Sequence, residues 1–199
     1  MKIWIMKIQM IEISKLVKFS MAMEMNTPLQ ELRARANKGE VDYEYQLGFR
    51  LYNGSGMTKN DKLAAFYMKR AADKGHPLAL LHYGDMLAGG DGVAQDRVLA
   101  AEYWKKSADT GFAEGQYRYA WALCFGKGLE KNVEEACKYF KLSADQGFNE
   151  AQYEYGCLLS MGNGIPRNEE EAIKYLTMAA ESGMSCALYE LEALGVNNN

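Results

Sequence analysis

The stretch Phe125-Gly126-Lys127-Gly128-Leu129-Glu130-Lys131-Asn132, FGKGLEKN, reads at first as a phosphate cradle, with a lysine between two glycines ahead of a helical pattern. It lacks the third glycine of G-x-G-x-x-G and does not fit G-x-x-x-x-G-K-[ST], and no strand precedes it. A comparison along the chain supplies a different reading. Gly126 and Gly128 have counterparts at Gly54 and Gly56, Gly90 and Gly92, and Gly162 and Gly164, each pair 36 residues after the last. Lys127 falls in register with Ser55, Asp91 and Asn163, so the position does not require lysine. The glycines are hinges of a repeat, and the nucleotide-binding reading is set aside.

Other positions keep the same step. Glycine returns at Gly39, Gly75, Gly111, Gly147 and Gly183, tyrosine at Tyr67, Tyr103, Tyr139 and Tyr175, and alanine at Ala36, Ala72, Ala108, Ala144 and Ala180. Each unit reads as two helices. In the first, exemplified by 113–125, small and apolar residues recur at helical spacing until Gly-x-Gly stops them, because glycine enters the left-handed region without a Cβ penalty. Asn60, Asp96, Asn132 and Asn168 then open the second helix as side-chain caps of orphan N–H groups. The second glycine ladder closes it, and positive φ is expected at Gly111 and Gly147. Thr27-Pro28-Leu29-Gln30 reads as a capping box with proline at the first helical position of an initial lone second helix.

Bulk properties narrow the partners. A net charge of −3 with no long run of either sign argues against a nucleic-acid footprint. Cys124, Cys137, Cys157 and Cys186 show no C-x-x-C spacing and no zinc pattern, so they read as thiols of a reducing compartment without an intramolecular disulfide. Residues 1–25 are apolar-rich but cut by Lys2, Lys7, Glu12, Lys15 and Lys18, too short in their uncharged runs for a signal peptide or a membrane span. Ile3, Met6, Met10, Ile13 and Val17 nevertheless fall on one helical stripe, expected to dock as an end cap, with a membrane-surface helix as the alternative.

The repeated pattern, as in ALLHYGDMLAGGDGVAQDRVLAAEYWKKSADTG (79–111) and AQYEYGCLLSMGNGIPRNEEEAIKYLTMAAESG (151–183), resembles the SEL-one-like repeat, a relative of the tetratricopeptide repeat. The resemblance spans about residues 27–194 and implies an all-α fold: a right-handed α-solenoid of antiparallel helix pairs. The expected organisation is a leader or capping helix at 1–26, a half-repeat at 27–39, four repeats over 40–183, and a capping helix and tail at 184–199. The resemblance also implies a non-catalytic adaptor or scaffold that binds a protein or peptide, without cofactor, metal or catalytic residue. Some cysteine-rich bacterial relatives bind or hydrolyse β-lactams, and that enzyme class is the alternative.

Within such an array, positions that do not vary between copies serve packing, and positions that vary are free for function. Leu51, Leu87, Leu123 and Leu159 are expected in the core, and Gly48, Gly84, Ala120 and Gly156 are expected to let helices approach closely. Three variable rungs lie three or four residues apart, on one helical face: Gln46, His82, Arg118, Glu154; then Phe49, Asp85, Trp121, Cys157; then Asn53, Gly89, Phe125, Met161. In related helical-pair solenoids the first helices line the concave surface, so ten of these residues form the expected partner-binding groove: Gln46, Phe49, His82, Asp85, Arg118, Trp121, Phe125, Glu154, Cys157 and Met161. Their mixture of aromatic and charged types suits a protein interface. A cytoplasmic location is expected.

Overall fold

A computed structural model describes residues 27–196; the amphipathic stripe of residues 1–25 and the expected leader helix lie outside the described residues. Among the described residues there are ten helices and no strand: α1 (Leu29–Asn37), α2 (Val41–Asn53), α3 (Asp61–Asp73), α4 (Pro77–Gly89), α5 (Arg97–Asp109), α6 (Ala113–Phe125), α7 (Val133–Ala144), α8 (Asn149–Met161), α9 (Glu169–Glu181) and α10 (Ser185–Ala193). The fold is the expected all-helical repeat. It divides into two compact units, Met1–Gly115 and Gln116–Asn199.

The helix boundaries follow from the caps. Asn60, Asp96, Asn132 and Asn168 each accept a hydrogen bond from the N–H three residues on, at 2.9–3.1 Å. Their own N–H groups donate back to the carbonyls of Leu51, Leu87, Leu123 and Leu159 at 2.9–3.0 Å, which fixes the loop length between paired helices. Every glycine of the Gly-x-Gly and helix-closing ladders has positive φ, including Gly111 at 90° and Gly147 at 86°. One expectation changes. Pro28 is the N-cap of α1 and the helix starts at Leu29, so no capping box forms with proline at the first helical position. Instead, the carbonyl of Thr27 accepts from the Arg50 guanidinium at 3.0 Å.

In unit one, α1 to α5 pack consecutively. The small-residue ladder does what its position suggests: a Cβ on Gly84 would lie 2.7 Å from the Trp104 ring, and one on Gly48 would lie 3.1 Å from Met68. The second glycine of the pair is more than a hinge. A Cβ on Gly92 would lie 2.1 Å from the Asp61 carbonyl, so this loop seats on the start of the preceding repeat's second helix. Tyr103 packs edge-on to Tyr83 at 4.9 Å, and its buried ring keeps the hydroxyl free to reach Asp73. Glu44 is fully buried, yet its carboxylate faces Arg70 at 2.6 Å and Lys74 at 2.8 Å. In the next repeat the corresponding residue is Leu80, so this charged triad belongs to the first repeat alone within the unit.

Unit two repeats the scheme. Tyr119 and Tyr155 meet Tyr139 and Tyr175 edge-on, both at 4.9 Å. Ala120 is fully buried on α6, and a Cβ on Gly156 would lie 2.7 Å from Leu176. A Cβ on Gly164 would lie 2.6 Å from Val133 at the start of α7, matching the seating of Gly92. The closing half-repeat α10 buries Ala187 and Leu191 against Cys157, Leu176 and Ala179. Burying these apolar side chains, each worth about 1–3 kcal/mol, covers the end of the unit's core.

Candidate functional site

In unit one the candidate residues form an aromatic patch rather than an open charged rung. Phe49 is half-buried and tilts against Tyr45 at 5.9 Å and His82 at 5.8 Å. His82 lies parallel to Tyr45 at 6.0 Å, and His76 stacks on the same ring at 4.5 Å. Gln46 is fully buried and so presents no surface to a partner. The Asp85 carboxylate accepts from the Trp104 indole N–H at 3.0 Å, which commits it to its own repeat. Asp85 faces a residue with no equivalent indole in the other copies, where Met68, Phe140 and Leu176 stand.

In unit two the aromatic and apolar candidates reach solvent. Trp121 is half-buried with its ring 5.0 Å from Phe125. Phe125 is 53% exposed and Met161, one repeat later at the same register, is 66% exposed. Arg118 and Glu154 are half-buried on their helices. Cys157 is only 8% exposed and belongs to the core under α10, so it drops out of the surface. Lys127 was not among the candidates, although its register with Ser55, Asp91 and Asn163 varies as theirs does. Its ammonium stands 6.0 Å over the Trp121 ring, within cation–π range.

Burial dominates the shifts of several titratable groups on and around this face. Burial pushes the Cys157 thiol up to about 12 and the Cys137 thiol up to about 11, and raises Cys124 as well. All three are neutral thiols near pH 7, not thiolates. Burial lowers His76 to about 4, with Asp42 acting in the opposite sense. That imidazole is occupied structurally, since its Nδ1 accepts from the Ala79 N–H at 3.2 Å at the start of α4. Burial also raises the Glu154 carboxyl above its ordinary range. Among the described residues, no cluster of three or more His, Cys, Asp or Glu is arranged to hold a metal, and no helix is long and apolar enough to cross a membrane.

Clefts open elsewhere. One of about 460 Å³ in unit one is lined by Asp73, Tyr103, Lys106 and Asp109, and one of about 380 Å³ in unit two by Cys137, Lys141, Tyr155 and Gly164. The first surrounds Tyr103 of the tyrosine ladder and its acceptor Asp73, the second borders Tyr155 and the Lys141 that donates to Tyr175, and neither is lined by a candidate residue.

Comparison with known proteins agrees with the repeat fold. The Sel1 repeat matches residues 41–76, 77–112, 113–148 and 149–184. A protective antigen present in uropathogenic Escherichia coli strains, c5321, which displays an SLR fold, is 27% identical with a TM-score of 0.79; the match covers 83% of this chain and 35% of that one. The chain therefore spans about a third of that relative's length. A Sel1 repeat protein from Oxalobacter formigenes is 25% identical with a TM-score of 0.77, over 84% of this chain and 71% of the other. No curated protein matches. Four tandem matches, together covering more than half of the residues, establish that the chain belongs to the Sel1 repeat family.

Proposed function

We propose that the chain is a non-catalytic adaptor that holds a protein or peptide partner on the first-helix face, with Trp121, Phe125 and Met161 at its centre. Sel1 repeat proteins generally mediate protein–protein interactions. The observation that carries the reading here is the exposure of Phe125 and Met161, two large apolar side chains at one register of consecutive first helices. Repeat packing does not require them, since Asn53 and Gly89 hold the same register. Exposed apolar residues beside an aromatic ring are what an interface buries, and aromatic anchors supply most of its energy. The proposed cytoplasmic location is supported by four free cysteines, a state that a reducing compartment maintains.

The test pairs a stability readout with a binding readout. Phe125→Ala combined with Met161→Ala should change unfolding free energy by no more than about 1 kcal/mol, as at surface sites. The same variant should lose partners that the wild-type chain retains in quantitative affinity capture. An unchanged set of retained proteins would remove this face from the adaptor reading.

A further inference from the structure

We propose that the cleft between the ends of α3 and α5 receives the side-chain carboxylate of a glutamate on an acidic peptide segment, with Lys106 as its countercharge. This surface shares no residue with the Trp121 face and does not rest on it. The first observation is a carboxylate that the chain itself holds at the same register, one repeat earlier. Glu44 is fully buried, with Arg70 at 2.6 Å and Lys74 at 2.8 Å, and the Lys74 ammonium also donates to the Gly39 carbonyl at 2.8 Å. Thirty-six residues on, Leu80 stands for Glu44, Lys106 for Arg70, Thr110 for Lys74 and Gly75 for Gly39. All four of these counterparts line the cleft of about 460 Å³. The second repeat keeps a cation here and lacks the acid that it would face.

The second observation is the pairing of the charges that line the cleft. Asp73 is held by Lys69 at 2.6 Å and by the Tyr103 hydroxyl at 3.0 Å, and Asp109 by Lys105 at 2.9 Å. Lys106 stands 4.8 Å from the Tyr103 ring, and among the described residues it makes no ion pair and no hydrogen bond. Of these lining charges it alone has no opposite partner. The Thr110 hydroxyl donates to the Ser107 carbonyl, so it does not replace the Lys74 ammonium. Unit two closes the same register differently, the Gln146 amide donating to Gln116 at 2.7 Å. Leu80 is buried and has no polar atom to offer, so neither device operates in the second repeat. A glutamate entering from outside lays its methylenes on Leu80 and brings its carboxylate to Lys106, as Glu44 meets Arg70 from within. A peptide also brings an N–H for the Gly75 carbonyl, which a free carboxylic acid lacks. Asp73 and Asp109 make a basic segment the competing occupant.

A phage-displayed library of random peptides, selected on the purified full-length chain and counter-selected on Lys106→Gln, tests the assignment. Lys106 is exposed, so this variant should keep the fold, which circular dichroism checks. Peptides that depend on Lys106 are expected to carry glutamate beside apolar residues. In a synthetic copy, exchanging that glutamate for glutamine should weaken binding to the wild-type chain about tenfold, by anisotropy at fixed salt. On Lys106→Gln the same exchange should matter about twofold or less. Leu80→Glu supplies the acid from within and should abolish binding, whereas Leu80→Met should not. Glutarate at the same concentration should fail to displace the peptide. The site is overturned by the absence of any Lys106-dependent peptide, by dependent peptides that are basic or neutral, or by a glutamate preference that survives on Lys106→Gln. Retained binding by a folded Leu80→Glu overturns the placement, and the Lys106→Gln arm decides alone if that variant fails to fold. Equal displacement by glutarate would assign the cleft to free carboxylates and overturn the peptide reading.

Discussion

The hydroxyl of Tyr103 donates to the Asp73 carboxylate at 3.0 Å, across 30 residues of sequence. The same step joins Tyr67 to Asn37 at 2.8 Å and Tyr175 to Asp145. Each bond ties a second helix to the end of the second helix one repeat earlier. Burial alone lifts the Asp73 carboxyl, but hydrogen bonds from Lys69 and Tyr103 outweigh it and hold the group below its usual range. Tyr103→Phe is expected to cost about 1–2 kcal/mol in a denaturant melt. Asp73→Asn should cost less, because Asn37 fills this place in the preceding repeat. A double-mutant cycle of Tyr103→Phe with Asp73→Ala should show a coupling of about 0.5–1.5 kcal/mol; strict additivity would mean the bond contributes nothing.

His76 predicts the pH dependence. Its folded pKa of about 4 lies below the ordinary 6.5, so the unfolded chain takes up the proton first as pH falls. Stability is full above about pH 6.5, declines as pH drops toward 4 and levels off below, a loss approaching about 3 kcal/mol from this group. His76→Phe should flatten that segment of the curve, since Phe148 holds the same register and packs on Tyr117 at 5.2 Å. It should also lower stability at pH 7 by about 1 kcal/mol through loss of the acceptor for Ala79. A pH profile of melting unchanged by His76→Phe would contradict the assignment.

The Glu44 triad predicts an asymmetry. Arg70 and Lys74 are partly exposed while Glu44 is fully buried, so removing the acid lets both cations return to water. Glu44→Leu, which copies Leu80, should change stability by about 1 kcal/mol or less in either direction. Arg70→Met with Lys74→Met strands the carboxylate and should cost about 3–5 kcal/mol. Equal losses in chemical denaturation would show that the triad is not organised around a buried charge.

Two glycines separate backbone strain from contact. Gly147 has φ of 86° with nothing within 4 Å of an added Cβ, so Gly147→Ala should cost only the left-handed penalty, about 1–2 kcal/mol. Gly92, at φ 72°, adds the clash with the Asp61 carbonyl. Gly92→Ala should therefore lower the melting temperature distinctly more than Gly147→Ala. Similar shifts would reduce the loop of Gly92 to a hinge and nothing else.

Recurrence explains what was legible beforehand. The caps at Asn60, Asp96, Asn132 and Asn168 and the positive-φ glycines were readable because the same chemistry returned at the same step. Variation between copies was a weaker guide. It picked positions three or four residues apart along the first helices but did not say what covers each position, so it included Gln46 and Cys157, which are buried. Nor did it reveal that two variable positions answer each other, as Asp85 does Trp104. Gly92 looked like a turn former because its second requirement, the Asp61 carbonyl, lies 31 residues earlier and carries no side-chain signature.

The tyrosine bonds also have a direction. In Tyr67, Tyr103 and Tyr175 the donor lies later in the chain than its acceptor, and the loops at Gly92 and Gly164 rest on helix starts already behind them. A ribosome releases a chain from its N-terminus. Within each unit, therefore, the receiving part emerges before the part that fits onto it, and a helix pair can lock onto a finished template as it appears. Growth by one more repeat needs no rearrangement of those already made.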